Sequence, residues 1–166
     1  MVIHKKNKDN SQEEKNKIKS AEAAMARYCS YQDRTINQVR EKLAGRSIDT
    51  HNSEIIIEKL INEGFINEER YAISYMLGKF HQNKWGRNKI RYLLLNQGIA
   101  ERFIENAAGQ IDEEEYDTQI RKMIRKKAGE IKSERYVKKN KIANFLIGKG
   151  FEPDLVWGMI REEFSN

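Results

Sequence analysis

The chain has 166 residues, 39% hydrophobic and 34% charged, with 31 Lys and Arg against 25 Asp and Glu for a formal net charge of +6. That apolar share suffices for a thin core, but no run approaches the roughly 18 apolar residues that cross a bilayer. The Lys- and Asn-rich N-terminus lacks the apolar stretch of a secretory signal. The expectation is a cytoplasmic protein without a membrane partner, whose basic balance suits an anionic one. The one cysteine, Cys29, excludes an internal disulfide and a cysteine-built zinc site, and reads as a small buried residue. His4, His51 and His81 share no metal-ligand spacing, and phosphate-loop, dinucleotide and nucleophile-elbow motifs are missing. No catalytic residue, metal ligand or cofactor is expected, and binding or regulation is favoured over enzyme chemistry.

One proline and ten glycines are few chain breakers, which predicts helices throughout. Residues 1–19 are polar, without apolar periodicity, and read as a disordered tail. A first unit, 20–64, follows. Ala24 and Tyr28 open it, Thr35 and Gln38 form a capping box, and Val39, Leu43 and Ile48 give an apolar face. After a long link through Asp49 to Ser53, Ile56, Ile57, Leu60 and Ile61 form one stripe.

A second unit, 65–110, repeats this pattern. Asn67 caps a helix that carries Tyr71, Tyr75 and Met76; Gly86 stands where Thr35 stood; Ile90, Leu94 and Ile99 match Val39, Leu43 and Ile48. Phe103, Ile104, Ala107 and Ala108 supply the last stripe. The third unit, 111–166, opens with Asp112 and Glu115 ahead of Tyr116, Ile120 and Ile124. It continues with Ile142, Leu146 and Phe151, then Leu155, Val156, Met159 and Ile160 behind Pro153. Gly98 and Gly150 precede the last apolar residue of their triplets, where a helix end commonly turns left-handed; Ser47 replaces them in the first unit. The predicted fold is all-α: three tandem three-helix repeats forming an elongated, curved, right-angle-packed helical array.

The basic residues are unevenly placed. Arg121, Lys122, Arg125, Lys126, Lys127, Lys132, Arg135, Lys138, Lys139 and Lys141 are opposed locally only by Glu130 and Glu134. Of these, Arg121, Lys122, Arg125, Lys126, Lys127, Lys138, Lys139 and Lys141 are candidates to meet phosphates or an acidic protein face; a solvated basic face is the plainer reading. Lys84, Arg87, Lys89 and Arg91 form a second set around Gly86, at a helix N-terminus able to hold an anion. Trp85 either stacks on a base or partner or joins the core, and Trp157 reads as core.

These residues carry a family resemblance. Arg34-Thr35 with Gln38-Val39 and Lys42-Leu43 resembles the first-repeat signature of the bacterial RecX family. Gly64-Phe65-Ile66-Asn67-Glu68-Glu69-Arg70-Tyr71-Ala72, Lys84-Trp85-Gly86-Arg87 and Lys149-Gly150-Phe151 resemble its later segments, in order, over about residues 20–164. Thr35 and Gln38 stand where the family more often has Ser and Glu. The resemblance implies a monomeric negative modulator of the RecA recombinase. Such a protein lies in the groove of the RecA filament on single- or double-stranded DNA, lowers ATP hydrolysis and strand exchange, and so regulates DNA repair, recombination and the SOS response. The alternatives are a helical nucleic-acid-binding module acting without RecA and a helical adaptor for another protein.

Overall fold

The structure, a computed structural model, describes residues 2–165, with side chains from Gln12 to Ser165. Met1 and Asn166, the outermost residues of the expected tail and third repeat, lie outside the described residues. Among the described residues the fold is all-helical: α1 (Val2–Tyr31), α2 (Ile36–Ala44), α3 (Thr50–Asn62), α4 (Glu68–Asn83), α5 (Arg87–Asn96), α6 (Glu101–Ala108), α7 (Glu113–Glu130), α8 (Arg135–Gly148) and α9 (Pro153–Glu163). The chain divides into two compact units, residues 1–71 and 72–166, with the boundary inside α4.

The expected disordered tail is instead helical from Val2. No glycine or proline occurs before Gly45, and Lys, Glu and Gln are good helix formers. Once Ile18 to Cys29 is packed, each residue added upstream gains a hydrogen bond without a new nucleus. The buried stripe of α1 is Ala21, Met25 and Cys29, while Ala24 and Tyr28 are only partly buried against it. Cys29 is 5% exposed, and burial pushes its thiol above the usual value, so it is an inert core residue.

The first unit packs α1, α2 and α3 around Val39, Leu43, Ile48, Ile56, Ile57 and Leu60. Thr35 caps α2 reciprocally with Gln38, and Glu68 accepts from the Ile36 N–H at 3.1 Å. The link from Asp49 to Ser53 is not a loop. Asp49 caps α3 at 3.0 Å to the Asn52 N–H, so the added residues lengthen the helix, and Ser53 is buried. Hydrogen bonds from Asn52 hold the Asp49 carboxyl below its usual value.

Each apolar triplet ends its helix the same way. Ile48, Ile99 and Phe151 donate their N–H to the carbonyls of Leu43, Leu94 and Leu146, and all six residues are buried. The residue before them is left-handed: Gly98 at φ 83, Gly150 at φ 94, and Ser47 at φ 55. A serine there strains where glycine does not. Ser47→Gly is expected to raise unfolding stability by about 0.5–1 kcal/mol, read as a higher urea midpoint. A lower midpoint contradicts this account of the turn.

The second unit is built on Met76, Phe80, Ile90, Leu94, Ile104, Tyr116, Ile120, Ile124, Ile142, Leu146, Val156 and Ile160, all nearly inaccessible. Phe80, Tyr116 and Phe151 form an aromatic row with ring centroids 5.5 and 5.4 Å apart. The start of α5 seats directly on the end of α8. Gly86 donates to the Lys149 carbonyl at 2.9 Å, and Asn88 to that of Gly150 at 3.0 Å. A Cβ on Gly86 would sit 2.3 Å from Gly150 backbone, and one on Gly150 2.3 Å from Lys89 Cβ. Both glycines are required by that approach.

Candidate functional site

The two basic sets meet in the second unit, but not as their spacing suggests. The four arginines are occupied by the protein itself. Arg87 reaches Glu113 at 2.7 Å and lies 4.0 Å over the Tyr116 ring. Arg91 pairs with Glu101. Arg121 reaches Glu162 at 2.7 Å. Arg125 binds Glu163 in a fork at 2.6 and 3.2 Å, which holds that carboxyl below its usual value. Arg121 and Arg125 thus fasten α7 to α9. Such exposed pairs contribute little stability each, but they fix where the arginine charge points.

The N-terminus of α5 is also occupied. Its donors go to Lys149, to Gly150 and, from the Arg87 N–H, to the Tyr116 hydroxyl at 3.0 Å. Tyr116 in turn donates to Glu152 at 2.7 Å. The anion seat expected around Gly86 is therefore filled by protein groups. Trp85 is half-buried, with Lys89 4.5 Å and Lys79 5.5 Å from its ring. Neither its stacking reading nor its core reading describes it fully. Trp157, too, is only partly buried.

The lysines are arranged differently. Lys84, Lys122, Lys126 and Lys127 line one open groove of ≈370 Å³, together with Lys149. Helix α7 supplies three of them, Lys122 on one turn and Lys126 and Lys127 on the next. Lys84 comes from the left-handed turn that closes α4, at φ 54, where its N–H still bonds to the Phe80 carbonyl at 3.1 Å. Lys149 stands just past α8, held there by the same carbonyl that receives Gly86. Met123 and Phe145 form an apolar floor. Lys127 reaches Glu130 at 2.7 Å and covers the Phe145 ring at 4.6 Å. Its hydrogen bond holds the Glu130 carboxyl below the usual value. Five ammonium groups thus face a single carboxylate.

Lys138, Lys139 and Lys141 lie on α8 outside that lining. Lys139 sits 5.5 Å from the Phe164 ring, and Lys141 donates to Ser133 at 3.2 Å. Lys149, Met123 and Phe145 are among the groove residues that the sequence reading left out. The signal for Lys149 was the Lys149-Gly150 ending, whose glycine marks a close approach by another helix. Among the described residues, no group of three or more His, Cys, Asp or Glu is placed to hold a metal ion, and no helix is long and apolar enough to cross a membrane.

The family model described as "RecX, second three-helix domain" matches residues 67–107, and "RecX, third three-helix domain" matches residues 113–160. A solved structure, "Crystal structure of RecX from Lactobacillus salivarius", superposes with a TM-score of 0.81 at 30% identity, over 89% of this chain and 96% of that one. The chain belongs to the RecX family. Relatives named "Regulatory protein RecX" include one from Clostridium perfringens, 29% identical over 80% of this chain and 63% of its own length. Another, from Streptococcus uberis, is 32% identical over 78% of this chain and 50% of its own. The chain thus spans about half to three fifths of the length of these RecX relatives. They are named as regulatory proteins.

Proposed function

We propose that this chain is a cytoplasmic, non-enzymatic negative modulator of RecA. It binds the groove of the RecA–DNA filament and restrains ATP hydrolysis and strand exchange. Membership in the RecX family carries the reading. The lysine groove supports it, because a recombinase filament on DNA presents phosphates and the groove concentrates positive charge on one face. Three tandem units, at about 20–64, 65–110 and 111–166, suit a helical partner: several weak contacts on successive protomers act together through effective concentration. Inhibition then follows from binding one filament state better than another, with no chemistry supplied by the chain.

The test is DNA-dependent ATP hydrolysis by the cognate RecA on preformed filaments, with this protein added below RecA stoichiometry. Hydrolysis is expected to fall. A variant with Lys122→Glu and Lys126→Glu is expected to need at least about tenfold more protein for the same fall, with unchanged helicity; two reversed contacts at about 1 kcal/mol each account for that factor. These lysines are the better choice for charge reversal, because changing Arg121 or Arg125 also breaks ties to α9. Unchanged hydrolysis with wild-type protein rejects the reading. The lysine groove also favours a second one, a helical nucleic-acid-binding module acting without RecA, which predicts strand binding with no effect on hydrolysis.

A further inference from the structure

We infer that this chain docks on a second copy of itself, head to tail, with the first turn of α8 of one copy seated on the outer face of α3 of the next. The inference does not rest on the filament reading, and the chain alone tests it. It starts from where the repeats differ. Helices α2 and α5 begin three residues ahead of Val39 and Ile90, whereas α8 begins seven ahead of Ile142. The third repeat thus carries an added turn, from Arg135 to Lys138. The core does not use it: the buried residues of α8, Ile142, Ala143 and Leu146, all lie beyond it. Yet it presents Tyr136, 77% exposed, and Val137, 40% exposed. Lys132, Arg135 and Lys138 flank this pair in the chain, against Glu134.

The other exception is α3, 13 residues long against 8 in α6 and 11 in α9. Ile55, Glu58 and Ile61 follow one another at three-residue steps, so they share its outer face. Ile55 is 50% and Ile61 43% exposed. Glu54 is engaged by Arg40, and Lys59 by Glu22 and Glu63, but Glu58 has no ion-pair partner among the described residues. One lengthened helix therefore offers an apolar pair around a carboxylate, and the other an apolar pair among cations. Apolar contact and opposite charge match, which makes each face the fitting occupant of the other. Because the two faces differ, the contact is heterologous and does not close on itself as a two-fold dimer would. Two apolar side chains on each side fall far short of a stable interface. The chain is single in dilute solution, and the contact forms where copies are crowded or held in a row.

The experiment traps the contact by cross-linking the full chain at high micromolar concentration. Cys29 is buried, so an introduced cysteine reacts alone. Chains carrying Asn62→Cys, one turn along from Glu58, are mixed equally with chains carrying Asn144→Cys, two turns along from Tyr136, and treated with a short bismaleimide; both sites are exposed. Mixed pairs are expected to exceed either like pair by at least about fivefold, where chance gives about twofold. Glu58→Arg in the first chain is expected to lower the mixed yield about threefold, as is Arg135→Glu in the second, and the two together are expected to restore it. Both charges are exposed, so circular dichroism should stay unchanged. A mixed yield at the chance ratio overturns the inference and leaves these faces to a different protein. So does an excess of like pairs, which means a two-fold contact, or a yield that the paired reversals do not first lower and then restore.

Discussion

Gly150→Ala is expected to lower unfolding stability by on the order of 3–5 kcal/mol, summing a strained left-handed residue with an overpacked contact. The added methyl meets Lys89 Cβ at 2.3 Å and Lys89 N at 2.6 Å, on a residue already at φ 94. The obstacle is helix α5 itself, so it cannot swing aside as the end of a flexible side chain would. Relief requires moving α5 off α8, which breaks the Gly86 and Asn88 hydrogen bonds at once. Urea unfolding followed by circular dichroism measures the loss. Gly78→Ala, inside α4 with nothing within 4 Å of an added Cβ, is the matched control and should gain about 0.5–1 kcal/mol. A Gly150→Ala protein within about 1 kcal/mol of wild type would mean that α5 and α8 do not meet as described.

Tyr116→Ala should cost a similar amount, about 3–5 kcal/mol, because it empties the centre of the Phe80–Tyr116–Phe151 row. Tyr116→Phe isolates the hydroxyl. It keeps the ring but leaves the Arg87 N–H and Glu152 without their shared partner, a loss of about 1–3 kcal/mol. The hydroxyl also gives the variant a distinct pH behaviour. Burial, reinforced by Glu152, pushes the Tyr116 phenol well above its ordinary value of 10.0. The folded protein therefore keeps this proton where the unfolded chain releases it. Above pH 10 the unfolded state binds fewer protons, so stability falls with rising pH, by up to about 1.4 kcal/mol per unit from this group. The gap between wild type and Tyr116→Phe should be constant below that pH and narrow above it. A gap that stays constant through alkaline pH rejects the buried, neutral phenol.

Ile90, Leu94 and Ile99 could be matched to Ile142, Leu146 and Phe151 by eye because burial and helix termination act on neighbouring residues. The period of the helix and the left-handed glycine are both local. The stripes proved narrower than their patterns, with Ile61 43% exposed while Ile57 and Leu60 are covered, because a short helix turns only part of its surface inward. The start of α1 was not legible, since a polar segment declares no apolar period and lengthens by propagation from its packed end. The site was legible by half. Charge density located the groove's α7 wall, but which cations remain available depends on partners such as Glu162 and Glu163 on a different helix, and tertiary pairing leaves no short-range mark. The same is true of α5, whose N-terminus looks open in sequence and is closed by α8.

That closure bears on the order in which the molecule can be completed. A chain emerging from the ribosome exposes α5 well before Lys149 and Gly150 exist. Until α8 and the residues just past it are made, the amides of Gly86 and Asn88 have only water to bond, and the aromatic row lacks Phe151. The second three-helix domain is thus not a free-standing module that the third merely follows. Its central helix receives its final hydrogen-bond partners from chain synthesised later, so the two domains mature as a pair.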